Sequence, residues 1–254
     1  MRLGFVGTGA IAEAMVQGVK GSDLADWPVT VSPRNAAVAA RLAQLPGVTV
    51  GADNQAVVDG ADIVVLSVLP GQAEQVLRPL RFRDGQTLLS LVAATPHQAL
   101  QGWLDRDLAV VRATPLPFAA RQACVTPVFP PEPLAMRLFD ALGAAVPVTT
   151  QAQFDGYSAG SAIMGTYFGL VDTAIDWLQA QGLPRADADA YMRSVFGNLG
   201  DVLRANPQAT PEELRLDHST PGGLNQQVHD RFTAAGGGDA LRGALDSVMA
   251  RLRR

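Results

Sequence analysis

The chain has 254 residues, 48% of them apolar, a net charge of −4 and one cysteine, Cys124. This length holds one large domain or two modest ones around a substantial core. Nucleic acid is excluded as a partner because the only basic tract is the terminal Arg251-Leu-Arg-Arg254, and a lone cysteine excludes an internal disulfide. No apolar run reaches the roughly 18 residues of a membrane span. The first strand begins at once, leaving no room for a signal peptide, so the expected location is the cytoplasm.

In chain order, residues 3–15 (Leu-Gly-Phe-Val-Gly-Thr-Gly-Ala-Ile-Ala-Glu-Ala-Met) read as a buried strand, a glycine-rich turn and the first turns of a helix. The turn is Gly7-x-Gly9-x-x-Ala12. Gly7 permits a tight turn, Gly9 leaves room for a phosphate to approach the backbone, and Ala12 lets the helix pack close to the strand. The N–H groups from Gly9, Ala10 and Ile11 onward then face a pyrophosphate at a helix N-terminus.

Further strands are expected at Val29–Ser32, Thr49–Gly51, Ile63–Val68, Thr87–Val92 and Val110–Ala113, with helices at Ile11–Val19, Ala36–Gln44 and Gln72–Leu80. The continuously apolar run Ile63–Val68 suits a parallel strand covered on both faces. Ala123–Phe129 and Ala145–Thr149 extend the sheet around a Pro133–Leu142 helix. After about residue 150 strand signals disappear. Gln153–Gln181 reads as one long apolar helix, followed by helices at Asp187–Arg204, from Pro211 (capped by Thr210), after the Ser219–Gly223 turn, and at Asp239–Leu252. The fold class is α/β: an N-terminal Rossmann-type doubly wound sheet over residues 1–150, followed by an all-α domain over 151–254. The long helix is too apolar on several faces for a surface, which points to an intertwined dimer.

The cofactor choice turns on the end of the second strand, where NAD-binding folds place an acid. Here the sequence is Ser32-Pro33-Arg34-Asn35, without an acid. Ser32, Arg34 and Asn35 are donors suited to a 2′-phosphate, so NADP(H) is expected. Val68, Leu69, Pro70 and Ala93 follow the fourth and fifth strands at the carboxyl edge and should line the dinucleotide cleft.

Several motifs in order resemble the pyrroline-5-carboxylate reductase family: Gly4-Phe-Val-Gly-Thr-Gly-Ala-Ile-Ala, Ser-Pro-Arg-Asn, Ser67-Val-Leu-Pro70, Val111-Arg112-Ala-Thr-Pro115-Leu, Ser158-Ala-Gly160-Ser161-Ala and Ser219-Thr220-Pro221-Gly222-Gly223-Leu224-Asn225. The resemblance spans nearly the whole chain. It implies a two-domain reductase that dimerises through the helical domain and passes hydride from the nicotinamide to the C=N bond of a cyclic imino acid. It further implies a substrate carboxylate on the N–H groups of Gly222 and Gly223, with Ser161 in the substrate site. This chain departs from the family at Thr114-Pro115-Leu116, where an amide side chain is missing, and at Gly160–Met164. At Asn225, an amide replaces the hydroxyl that would touch the imine nitrogen.

The candidate catalytic groups are Asn225, Thr220 and His218; no metal is expected. Asn225, Gln226 and Gln227 form an amide cluster, and His229 shares a helical face with Asn225. His97 reads as structural. Asp172 and Asp176, four residues apart on the apolar helix, call for a partner such as an arginine across the dimer, and Tyr157 is expected to share the cleft with Ser161 while Tyr167 belongs to the core. A β-hydroxyacid dehydrogenase, which resembles this layout, needs a helical-domain lysine; the sole lysine is Lys20. The alternatives left open are reduction of another imine or keto acid, and a non-catalytic NADP-binding sensor.

Overall fold

The computed structural model describes residues 1–253. Eight strands form one sheet: β1 (Leu3–Val6), β2 (Val29–Val31), β3 (Val48–Val50), β4 (Ile63–Leu66), β5 (Thr87–Ser90), β6 (Ala109–Ala113), β7 (Cys124–Phe129) and β8 (Gly143–Pro147). Their spatial order is β3-β2-β1-β4-β5-β6-β7-β8. β1–β6 run parallel, β7 is antiparallel to β6, and β8 is again parallel to β7. The reversal has a local cause. A 3-10 turn at Pro117–Arg121 replaces the crossover helix after β6, so the chain returns beside the strand it has just left.

Helices α1 (Ala10–Lys20), α2 (Ala36–Leu42), α3 (Asn54–Gly60), α4 (Pro70–Leu77), α5 (His97–Trp103) and α6 (Pro133–Ala141) alternate with these strands. They cover the sheet on both faces. One face buries Phe5, Met15, Leu24, Ile63 and Phe139; the other buries Val6, Val64, Leu66, Leu88 and Leu100. This two-sided burial explains why β1, β4 and β5 are buried at every position. The α3 helix was not foreseen; Asp53 is its cap, accepting from Ala56 N–H at 2.8 Å. Lys20 closes the α1–β2 connection by donating to the carbonyls of Ala25 and Trp27.

The rest is helical: α7 (Gln151–Gly160), α8 (Met164–Ala180), α9 (Arg185–Ala205), α10 (Pro211–Asp217), α11 (Leu224–Ala234) and α12 (Gly237–Leu252). The expected continuous helix Gln153–Gln181 is broken by a 3-10 turn at Ser161–Ile163. Gly156, Gly160 and Gly165 weaken helical continuity there. Thr210 caps α10 in a full capping box with Glu213. Two compact units result: Met1–Ser158 with residues 251–253, and Ala159–Ala250. Among the described residues no helix is long and apolar enough to cross a membrane.

Candidate functional site

The glycine turn follows β1 at the carboxyl edge of the sheet. Gly7 has φ +100°, and a Cβ there would lie 2.1 Å from the Ser67 carbonyl oxygen. Both the backbone angle and the contact with the β4 exit therefore demand glycine. Gly9 differs. Its φ is −83°, and a Cβ built on it meets nothing within 4 Å. Gly9 thus borders open space at the start of α1, where no side chain caps the first N–H groups. Ala12 is fully buried against the sheet, whereas Ala10 is exposed and Ile11 half-buried. Open space, unpaired N–H groups and a helix dipole together fit a pyrophosphate.

The end of β2 braces this turn. Ser32 is fully buried, and its Oγ accepts from Gly7 N–H at 2.9 Å. Asn35 caps α2 through Val38 N–H and donates from Nδ2 to the Thr8 carbonyl at 3.2 Å. Ser32 is thereby corrected from phosphate ligand to internal clamp, because a hydroxyl with no exposed surface is not presented to a ligand. Asn35 is exposed, but its amide likewise serves the scaffold. Arg34 alone projects outward. Among the described residues it has no carboxylate partner; its Nη1 donates to Gln72 Oε1 at 3.4 Å. It also lines a groove of about 520 Å³ with Asp53, Asn54, Gln55 and Gln75. Asn54 and Gln55 reach this wall on α3, a helix too short to show helical periodicity in the sequence.

The β4 exit forms the next wall. Val68 is half-buried, Leu69 is 68% exposed and caps α4, and Pro70 is the first residue of that helix. Beyond β5, Ala93 is exposed and accepts from the Thr95 hydroxyl, and Ala94 sits in the left-handed region at φ +51°. An alanine there is strained by about 1–2 kcal/mol.

Beneath this edge is a charged cluster that the sequence did not reveal. Arg112, near the end of β6, is 4% exposed, and its guanidinium carbon lies 4.4 Å from the centre of the Phe154 ring. Its Nη1 and His97 Nδ1 are both buried without a hydrogen-bond partner. Burial pushes the Arg112 pKa down, opposed by Asp155, which is itself buried and accepts from Gln151 Nε2. Burial, then the nearby Arg112 charge, hold His97 below its ordinary value of 6.5. Phe129 links the His97 and Phe154 rings. The cluster holds the start of α7 against the sheet. Cys124 is a buried small residue whose Sγ accepts from Leu116 N–H, as a structural role requires.

In the second unit, the turn before α11 is held by its own side chains. Gly222 has φ +74°, and its N–H donates to Gln226 Oε1 at 2.8 Å. Gly223 N–H donates to the Thr220 carbonyl at 2.7 Å. Both N–H groups are engaged within the turn in this conformation; the donors left at this end are the first N–H groups of α11. Asn225 Nδ2 donates to the His218 carbonyl at 2.7 Å, bracing the same turn. His218 Nδ1 faces the Leu214 carbonyl at 2.8 Å. A carbonyl only accepts, so Nδ1 is the donor of this bond and Nε2 is the ring nitrogen left outside it. The turn brings Thr220, Gly222, Gly223, Asn225 and His218 together; His229 is exposed one turn further along α11.

Other residues lie elsewhere. Ser161 opens the 3-10 turn before α8, half-buried. Tyr157 is 49% exposed, and Tyr167 packs edge-on to Phe196 and donates to its carbonyl. Asp172 and Asp176 are 63% and 61% exposed and pair with Arg185 of the same chain at 2.9 and 2.7 Å. The arginine expected across a dimer is thus supplied by the same chain, bracketing α8 and α9. Among the described residues no cluster of His, Cys, Asp and Glu could hold a metal.

Residues 2–94 match the family described as NADP oxidoreductase, coenzyme F420-dependent, and residues 152–254 match pyrroline-5-carboxylate reductase dimerisation. A pyrroline-5-carboxylate reductase of Pseudomonas aeruginosa is 26% identical over 98% of this chain and 95% of its own length. The structure of the Coxiella burnetii pyrroline-5-carboxylate reductase superposes with a TM-score of 0.85 at 21% identity, covering 99% of this chain and 97% of that one. The Plasmodium falciparum pyrroline carboxylate reductase, solved with NADP bound, gives 0.81 at 15% identity over 99% and 97%.

Proposed function

We propose, on the premise that this chain belongs to the pyrroline-5-carboxylate reductase family, that it is an NADP(H)-dependent oxidoreductase reducing the C=N bond of a cyclic imine such as pyrroline-5-carboxylate. The observation that carries this reading is the glycine turn: Gly7 is forced by its contact with Ser67, and Gly9 is left beside open space at a helix start. When bound, the nicotinamide supplies the hydride. Every other task belongs to the chain.

Gly9, Ala10, Ile11 and Ala12 would hold the pyrophosphate through backbone N–H groups. Arg34 would meet the 2′-phosphate, and no acid at the end of β2 opposes it. Val68, Leu69, Pro70 and Ala93 would wall the cleft. Reduction of an imine consumes one hydride and one proton. A cyclic iminium arrives with that proton on nitrogen, so no side-chain acid is required at the reacting atom. This agrees with a helical region that lacks lysine. Asn225, Thr220 and the first N–H groups of α11 are our candidates for orienting the substrate, with Ser161. We further propose that residues 1–150 serve the cofactor, that 151–254 serve dimerisation and substrate, and that the protein acts in the cytoplasm.

A second reading, reduction of a different imine or keto acid, is favoured by one observation. Gln226 occupies Gly222 N–H, a group the family resemblance assigns to a substrate carboxylate. Both readings are separated by following NADPH absorbance with pyrroline-5-carboxylate, cyclic imines lacking a carboxylate, and keto acids. Turnover highest with pyrroline-5-carboxylate supports the first, and turnover confined to the others supports the second. Saturable NADPH binding without turnover on any of them overturns both in favour of a sensor.

A further inference from the structure

The end of β2 offers three polar side chains to a phosphate, but two face inward: the buried Ser32 hydroxyl on Gly7 N–H, and the Asn35 amide on Val38 N–H and the Thr8 carbonyl. A doubly charged 2′-phosphate needs more than one donor group for tight recognition. Arg34 supplies a fork with no carboxylate partner among the described residues. Its contact is with α4, 38 positions away, where Gln72 Oε1 accepts from Arg34 Nη1 at 3.4 Å. A guanidinium only donates, so the carboxamide oxygen must face it. The two N–H donors of Gln72 Nε2 are not used in this contact.

We infer that Gln72 is a specificity-determining residue: it steadies Arg34 through Oε1 and presents Nε2 to the 2′-phosphate of the dinucleotide. This rests on the reading that the Gly7–Ala12 turn holds NADP(H). Two independent elements, the β2–α2 loop and α4, thus form one clamp at the edge of the groove that Arg34 lines with Asn54 and Gln55. Asp53, the acid in that groove, directs Oδ1 to Ala56 N–H as the cap of α3. The clamp is also a point of discrimination. A neutral amide at position 72 leaves the Arg34 charge for the ligand, whereas a carboxylate there would satisfy Arg34 and repel the phosphate.

The test is calorimetric titration of the intact protein with NADP+, NAD+ and 2′-phosphoadenosine 5′-phosphate, for wild type, Gln72→Ala, Gln72→Glu and Arg34→Ala. Melting temperatures check that these surface variants fold. Gln72→Glu is expected to weaken NADP+ and the phosphoadenosine probe about 10-fold or more, Gln72→Ala about threefold, and both to leave NAD+ within twofold. If Arg34→Ala weakens NADP+ but both Gln72 variants bind it like wild type, the inference fails while the NADP(H) reading stands. If wild type binds NAD+ as tightly as NADP+, the underlying reading fails and the inference with it.

Discussion

The two units bury their apolar residues very differently. The first has two apolar cores, one on each face of its sheet. In the second, the buried apolar residues among those described are Ala159, Ile175 and Ala188, while Phe168, Trp177, Tyr191, Leu224 and Val228 are each more than 60% exposed. Phe168 and Trp177, nine residues apart on α8, face opposite ways around the helix. A unit with so small a core and so much exposed aromatic surface is completed by association. The lesson is that one unit carries its stability within a single chain and the other borrows it, which matches the dimerisation family that residues 152–254 match.

The largest expected effect breaks this contrast directly. Phe168→Asp or Trp177→Asp should weaken the dimer about 1,000-fold, since about 2 kcal/mol is lost at each of two symmetric positions. Light scattering against concentration would show this. A wild-type chain that is monomeric at micromolar concentration would contradict the comparison.

The next effect lies in the first unit. Gly7→Ala should destabilise it by about 3 kcal/mol or more, from the clash with Ser67 and the positive φ. Gly9→Ala should change stability by under about 1 kcal/mol yet weaken dinucleotide binding, because its Cβ enters only open space. Thermal melts with and without NADP+ distinguish the two variants.

A smaller effect concerns acid. His97 is held below 6.5 in the folded chain, so the unfolded chain takes up the proton first as pH falls. Stability from this group is complete above pH 6.5 and is lost below it. His97→Gln should flatten the fall in melting temperature on that acid side. The smallest effect is a gain: Ala94→Gly should stabilise the first unit by about 0.5–1 kcal/mol by relieving the left-handed alanine.

The alternation of strands and helices through residue 149 was legible because each strand is an apolar run between turn residues. So was the Thr210-Pro211 helix start, which is encoded by neighbouring residues. The α3 helix escaped notice because its seven residues, Asn54–Gly60, show too short a stretch for helical periodicity. The glycine turn was legible in the same local way. Less visible were the side chains whose partners lie far off in sequence. Ser32 turns inward to Gly7, Arg112 is buried under Phe154, and Asp172 and Asp176 meet Arg185. Gln226 folding back on Gly222 was hidden for a different reason: side-chain rotamers leave no trace in a motif.

Hydride delivery to carbon is the central chemical claim for this protein. The most direct measurement is a reaction of the purified chain with pyrroline-5-carboxylate and NADPH stereospecifically deuterated at C4, followed by mass spectrometry of the product. The account predicts proline carrying one deuterium, at the carbon of the former C=N bond, from one face of the nicotinamide. Saturable NADPH binding with no labelled product from this or any other cyclic imine would contradict it.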